Sequence, residues 1–200
     1  MATRELYISI DAEVDGHVPG PYSLVSIGAC AAAVRDEDGT VMALDPDAET
    51  FYAELRPISE DYIEKALRVT GLTREGLERD GRPPEEAMPE LVAWIDGLAE
   101  AHDAQPVLAA FPLAMVWQFS QYYLIVFGGR SPFGQSAHYD MKTAFAALSG
   151  NAVRDAIRRR MPSSLLGPRS SKTGHALEDA KGHADLLVGL LTWPSPKSMR

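Results

Sequence analysis

Cys30 is the only cysteine in a chain of 200 residues, so no disulfide can form within it. This favours a reducing compartment. No stretch approaches the roughly 18 apolar residues of a membrane span. The N-terminal MATRELYISI has no long apolar run of the kind that marks a secretory leader. A soluble, cytoplasmic protein is expected. Positive charge is also scarce: 19 Lys and Arg stand against 28 Asp and Glu, a net of −9. Broad, non-specific binding along duplex DNA needs many phosphate-neutralising cations, and this balance argues against it. A small nucleic-acid footprint around a local basic patch remains open. There is no internal repeat and no low-complexity tract. What is there is an ordinary apolar fraction of 46%, enough for one core at this length. Residues 1–193 read as a single domain and 194–200 as a frayed tail.

The stretch YISIDAEV, from Tyr7, alternates Ile8, Ile10 and Ala12 with Ser9, Asp11 and Glu13. A period of two makes it a strand with its apolar side chains on one face and Asp11 and Glu13 on the other. A second, largely buried strand follows within 20–34. EDG at 37–39 supplies a hairpin turn. TFYAELRP at 50–57 gives a third strand, so the first three read as a meander. Ser59 is the expected N-cap of a helix closing at Gly71, and Thr73 caps a short turn. Leu91, Trp94, Ile95 and Leu98 share one face of the next helix. Pro89 must lie in that helix's first turn or kink it. PVLAAF at 106–111 reads as a buried strand and 113–127 as a buried helix, apolar almost all round. Asp140 caps a helix ending at Gly150. The last helix, over 175–191, carries His175, Asp179 and His183 on one face.

Asp11 and Glu13 lie side by side at the end of an apolar strand, with Asp15 close behind. Such an arrangement is unfavourable unless something positive lies between the charges. Asp179 on the C-terminal helix is the obvious further partner. Three carboxylates from two distant elements can hold a hard divalent cation through oxygen, as magnesium prefers. One basic segment, 153–172, holds Arg154, Arg158, Arg159, Arg160, Arg169 and Lys172 against Asp155 alone. It reads either as a nucleic-acid contact or as a solvated helix face and loop. His17, in a loop near the acidic pair, is a candidate for touching substrate. His138 is placed in a loop, and His183 at the surface or behind the site.

Four segments in order resemble the DnaQ-like 3′–5′ exonucleases of the DEDDh group. YISIDAEVDGHVPGPYSLVSIGA is similar to their first motif, a strand carrying D-x-E. ALRVTGLTREGLERDGRPPEEAMPELVAWI resembles their linker and amphipathic helix. FGGRSPFGQSAHYDMKTAFAALSG resembles a segment of short bacterial members, and HALEDA the end of their third motif. The resemblance spans about 6–191. It implies an α/β, ribonuclease-H-like fold: a mixed five-stranded sheet flanked by helices. It also implies Mg²⁺ or Mn²⁺ held by Asp11, Glu13 and Asp179, and as partner a nucleic-acid 3′ end or a nucleotide. A homodimer is left open.

Two positions depart from the pattern. Val116 stands where the family's second-motif Asp helps to hold a second metal ion. Gly174 stands where the family's catalytic His lies, five residues before the last Asp; His175 comes one position later. A catalytic set of Asp11, Glu13, His175 and Asp179 is therefore expected, with Arg158, Arg159 and His17 on the substrate side and Val116 and Gly174 degenerate. Two metal ions clamp the attacking and leaving oxygens in such hydrolysis, so the departures imply reduced activity. They also sustain an alternative: an inactive exonuclease fold that binds nucleic acid, a nucleotide or a protein partner. A third reading, a phosphodiesterase for a small nucleotide, would explain the acidic surface.

Overall fold

The computed structural model describes residues 3–169 and 173–193; Lys172 and the tail assigned to 194–200 lie outside them. Six strands, β1 (Glu5–Val14), β2 (Leu24–Arg35), β3 (Val41–Ala43), β4 (Thr50–Glu54), β5 (Gln105–Ala110) and β6 (His138–Asp140), form one mixed sheet. Its order is β3-β2-β1-β5-β6, and β4 also pairs with β2. The helices are α1 (Glu64–Thr70), α2 (Arg74–Asp80), α3 (Pro84–His102), α4 (Leu113–Val126), α5 (Met141–Ser149), the short α6 (Ser163–Leu166) and α7 (Ala176–Leu191). Among the described residues no helix is long and apolar enough to cross a membrane.

Alternation in β1 sorts the molecule into layers. Ile8, Ile10 and Ala12 join Met88, Leu91 and Ile95 of α3 and Phe119 and Tyr123 of α4 in one core. On the other face Tyr7 joins Met141 and Phe145 of α5 and Leu186, Leu187 and Leu190 of α7 in a second core. Ser9, Asp11 and Glu13 fall on this second face. β1 is central, antiparallel to β2 and parallel to β5, so its polar side chains are buried as well.

The expected meander is corrected in one detail: a short strand, β3, precedes the expected third strand, which is β4. β3 pairs with 33–35 of β2 and β4 with 26–30, so both lie along one edge. Between them the chain turns at Asp45–Pro46–Asp47, with Asp47 N–H donating to Asp45 Oδ1 at 3.0 Å. Pro46 has no N–H for a ladder. Six strands thus occupy five positions. β6 is a further correction, since His138 lies on a strand beside β5 rather than in a loop. The first helix also starts later than its Ser59 signal, at Glu64 after Ile63. Ile63 N–H donates to Asp15 O at 2.7 Å and Ile58 N–H to Ser23 Oγ at 3.1 Å. These bonds hold 58–63 against the β1–β2 connection. Gly71 (φ 74°) ends α1, and Thr73 Oγ1 caps α2, as the sequence indicates. Pro89 lies inside α3, beyond the first turn.

Asp15 is separate from the Asp11–Glu13 pair. It is fully buried, accepts from Ser23 N–H at 2.5 Å and faces Arg74 Nη1 at 3.3 Å. Burial raises its carboxyl above the ordinary 3.8, outweighing the Ser23 N–H and the Arg74 charge. An acid with a raised folded pKa binds its proton more tightly when folded. Its contribution is full below pH 3.8 and is lost as pH rises through the folded value. The stability difference between wild type and Asp15→Asn should therefore shrink as pH rises across that window, read by urea unfolding on either side of it. A constant difference would show that Arg74 and Ser23 fully offset burial.

Candidate active site

The site is assembled where α7 meets the end of β1. Asp11 and Gly28 are paired across β1 and β2, and Gly28 is bare beneath the start of α7. A Cβ there would lie 2.2 Å from Leu177 N. One turn on, Ser9 Oγ donates to Ala180 O at 2.8 Å. These contacts set the first turn of α7, and Asp179 within it, over Asp11 and Glu13. All three carboxylates are buried, each offering an oxygen, with these atoms within 4.8 Å of one another.

Asp179 is oriented from above. Thr173 N–H (2.7 Å) and Thr173 Oγ1 (3.2 Å) donate to its Oδ1, and Gly174 N–H donates to its Oδ2 at 3.1 Å. Bonds of this kind fix the orientation of the Asp179 carboxyl. Three buried carboxylates this close need a compensating cation. An all-oxygen set of hard ligands from β1 and α7 fits Mg²⁺ or Mn²⁺.

Beside the triad lies a pocket of about 160 Å³, lined by Asp11, Phe111, Pro112, Arg158, Asp179 and His183. A larger cavity, about 260 Å³, lies along α6 and α7. Its charged side chain, Asp185, faces Arg169 at 3.3 Å.

The structure thus brings Asp11, Glu13, Asp179 and Arg158 together. His175 caps α7 from outside the pocket. It is exposed, and its ring stacks on Tyr52 at 4.3 Å and 20°. Tyr52 pairs with Gly28 on the edge of β2 away from Asp11. His17 is exposed, edge-on to Tyr22 at 6.3 Å, with its carbonyl accepting from Gln118 Nε2 at 3.0 Å. Arg159 is exposed. Arg160 pairs with Asp155, and Arg169 with Asp47 and Asp185. Val116 is wholly buried in the core shared with α3. Asp140 caps α5 and also accepts from Leu113 N–H at 3.3 Å, joining the starts of α4 and α5. That is the structural role read for it.

Of the two places read for His183, the surface is the one the structure overturns. It is buried and lines the pocket, with its ring 5.9 Å from that of Phe111. The signal was its spacing of four from Asp179, which puts both on one helical face. That face turns towards the sheet rather than towards solvent.

No family model matches the chain. Over 183 residues, 92% of this chain and 90% of the relative, it is 34% identical to the 3′-5′ DNA exonuclease Cap18 of Escherichia coli. The chain belongs to the DnaQ-like 3′–5′ exonuclease family. Solved exonuclease folds are alike in shape. The nuclease domain of 3′hExo, a DEDDh family member bound to rAMP, matches with a TM-score of 0.65 at 12% identity, over 93% of this chain and 90% of that one. Exonuclease I of E. coli, in complex with a dT13 oligonucleotide, matches with a TM-score of 0.64 at 13% identity, over 98% of this chain and 42% of that one.

Gly174, read from the sequence as the position of the family's His, carries a conformational demand of its own. Its φ is +77°, and a Cβ would lie 2.8 Å from Val69 O. A left-handed conformation costs a residue with a side chain roughly 1–3 kcal/mol. Gly174→His should therefore lower the melting temperature and raise no activity, because the loop it would strain also supplies the N–H that holds Asp179. A variant as stable as wild type with faster hydrolysis would show that the loop accepts the family residue.

Proposed function

We propose that this protein is a metal-dependent 3′–5′ exonuclease acting on short single-stranded DNA or RNA, with activity reduced by its two departures from the family. The observation that carries this is the convergence of Asp11, Glu13 and Asp179 from β1 and α7 within 4.8 Å. These three would hold Mg²⁺ or Mn²⁺, which when bound supplies Lewis-acid polarisation of a phosphoryl oxygen and lowers the pKa of a bound water. Thr173 and Gly174 fix the Asp179 carboxylate for that task. Phe111 and Pro112 provide an apolar wall against which a terminal nucleotide can lie. Loss of a positioned general base costs about 10²–10⁴-fold, and Gly174 is where the family keeps its own. His175, one turn before Asp179, is free to approach only by leaving Tyr52.

The deciding experiment offers a 5′-labelled single-stranded oligonucleotide, DNA or RNA, with Mg²⁺, Mn²⁺ or EDTA. A ladder shortening from the 3′ end, present with metal and absent with EDTA, is expected. No shortening under any condition, beside an active family member as control, would overturn the reading. The second reading, a module that binds a nucleic-acid end or nucleotide without cutting, is favoured by Val116 and Gly174. It predicts Mn²⁺ binding and oligonucleotide binding with no ladder. In either reading Arg159 would be an outer phosphate contact. Arg159→Ala should lower the log–log salt slope of oligonucleotide binding by about one unit.

A further inference from the structure

The carboxylate triad has a different flank on each side of β1. On the β5 side lies the pocket with Phe111 and Pro112. On the side of β2 and β4 lies a pair of stacked rings, Tyr52 and His175, 4.3 Å apart and inclined by 20°. Asp11, Gly28 and Tyr52 are successive cross-strand neighbours, so Asp11 and Tyr52 rise from the same face of the sheet. Two strand spacings, about 10 Å, separate their backbones. Tyr52 Oη donates to Glu54 Oε1 at 2.9 Å. Burial and this bond push the phenol pKa up, and the Glu13 charge adds to the rise, so the ring stays neutral and is held at its tip. His175 is fixed through its backbone. Its N–H donates to Thr173 Oγ1 at 3.1 Å, and its carbonyl accepts from Asp179 N–H at 3.0 Å. It is exposed although Tyr52 covers one face of its ring. What it offers to solvent is therefore the opposite face and the rim, and no second ring among the described residues is stacked on it. Glu54, beside the pair, is also exposed and would repel a phosphate. A neutral, flat partner suits this flank.

We propose that His175, backed by Tyr52, is a stacking platform for the base of the penultimate nucleotide of the substrate strand. The assignment deepens the exonuclease reading and rests on it for the substrate class. A strand whose scissile phosphate lies at the carboxylates has one nucleotide on each side of that bond. With the terminal nucleotide against Phe111 and Pro112, its neighbour falls on the Tyr52 and His175 side. Every base has a π-face, so such a platform tolerates any sequence. It also selects for single strands, because a base in a duplex is already stacked on its neighbours. His175 is in this sense a substrate-binding residue, and Tyr52 is its support.

The test titrates full-length protein into a short single-stranded DNA whose penultimate base is 2-aminopurine, a fluorescent adenine analogue that stacking quenches. Ca²⁺ replaces Mg²⁺, and a gel checks afterwards that the strand is intact. A second strand is abasic at the same position. Wild type should quench the fluorescence and bind the intact strand more tightly than the abasic one. His175→Ala should lose the quench and bind the intact strand at least about fivefold more weakly, the lower range for one base stacked on one side chain. Its affinities for the abasic strand and for Mn²⁺ should match wild type. His175→Phe, which keeps a flat ring, should restore the quench. Wild-type quench and affinity in His175→Ala would overturn the proposal. So would equal losses for intact and abasic strands, or a parallel loss of Mn²⁺ binding, which would make the ring pair a structural cap of α7. If His175→Ala does not fold, Tyr52→Leu, which removes the supporting ring, decides by the same readings. The exonuclease reading fails separately. A His175-dependent quench without 3′ shortening in Mg²⁺ or Mn²⁺ would leave the platform standing and that reading fallen, and shortening without a quench would do the reverse.

Discussion

Asp11→Asn should abolish the Mn²⁺-induced rise in melting temperature and, in metal-free protein, raise the melting temperature above that of wild type. The two effects have one cause. Ligand oxygens of Asp11, Glu13 and Asp179 lie within 4.8 Å of one another in a buried site. At an effective dielectric constant of about 20, each charged pair at that range repels by on the order of 3 kcal/mol. Backbone N–H groups of Thr173 and Gly174 and the Arg158 charge offset part of this. The remainder is stored until a cation binds. An amide keeps the shape and removes one charge, so the metal-free fold relaxes while the ligand set is lost. Substituting residues that merely orient metal ligands already costs about 10–100-fold in affinity or activity, so losing a ligand should cost exonuclease activity more than that. Thermal melts with and without Mn²⁺, beside a 3′-shortening assay, read all three quantities. Retention of the Mn²⁺-dependent shift in Asp11→Asn would remove the triad from the proposed function.

Much of this site was legible because it sits on periodic elements. The alternation of β1 put Asp11 and Glu13 on one face without reference to any fold, and the helical face of α7 carried Asp179. Both are local patterns, and packing preserved them. The parts that were not legible depend on what a residue meets across the molecule. Ser59 is a good capping residue, but Ile63 N–H is claimed by Asp15 O, so the helix starts four residues after the nearest signal could act. The short β3, three residues long, is too brief for an alternation to show, and it was not read ahead of the strand at 50–57. His183 shares its face with Asp179, yet only the position of β1 and β5 shows that this face is covered. The arginines at 158–160 are three identical letters. A 3₁₀ turn with near-threefold symmetry aims one into the pocket, and no helical or strand periodicity distinguishes it from the other two. Gly174 read as the absence of a histidine, while its positive φ and its N–H to Asp179 make it a structural requirement of the loop.

Gly28→Ala should disable the site while leaving every candidate metal ligand in place. Gly28 lies between Asp11 on β1 and Tyr52 on β4 in the register of the sheet. A Cβ added there would meet Leu177 N at 2.2 Å, Leu177 Cα at 2.3 Å and Ala176 C at 2.4 Å. All three are backbone atoms, so no rotamer change relieves the overlap. Ordinary carbon contacts lie near 3.5–4.0 Å, so the first turn of α7 must lift by about an ångström or more, or β2 must sink. Overpacking of this kind costs about 1–3 kcal/mol, which a domain of this size survives. Catalytic geometry is less forgiving: a displacement of about 1 Å can cost on the order of 10²-fold in rate. Asp179 rides on the turn that lifts, and the Ser9 Oγ to Ala180 O bond at 2.8 Å is strained with it. The expected outcome is a folded protein with weakened Mn²⁺ binding and 3′ shortening slowed by about that factor. Gly97→Ala is the matched control. Gly97 lies on the exposed side of α3, where a Cβ meets nothing within 4 Å. It should gain up to about 1 kcal/mol from helix propensity and keep wild-type Mn²⁺ binding. If Gly28→Ala binds Mn²⁺ and shortens oligonucleotides like wild type, the close approach of α7 to β2 is not what sets Asp179 against Asp11 and Glu13.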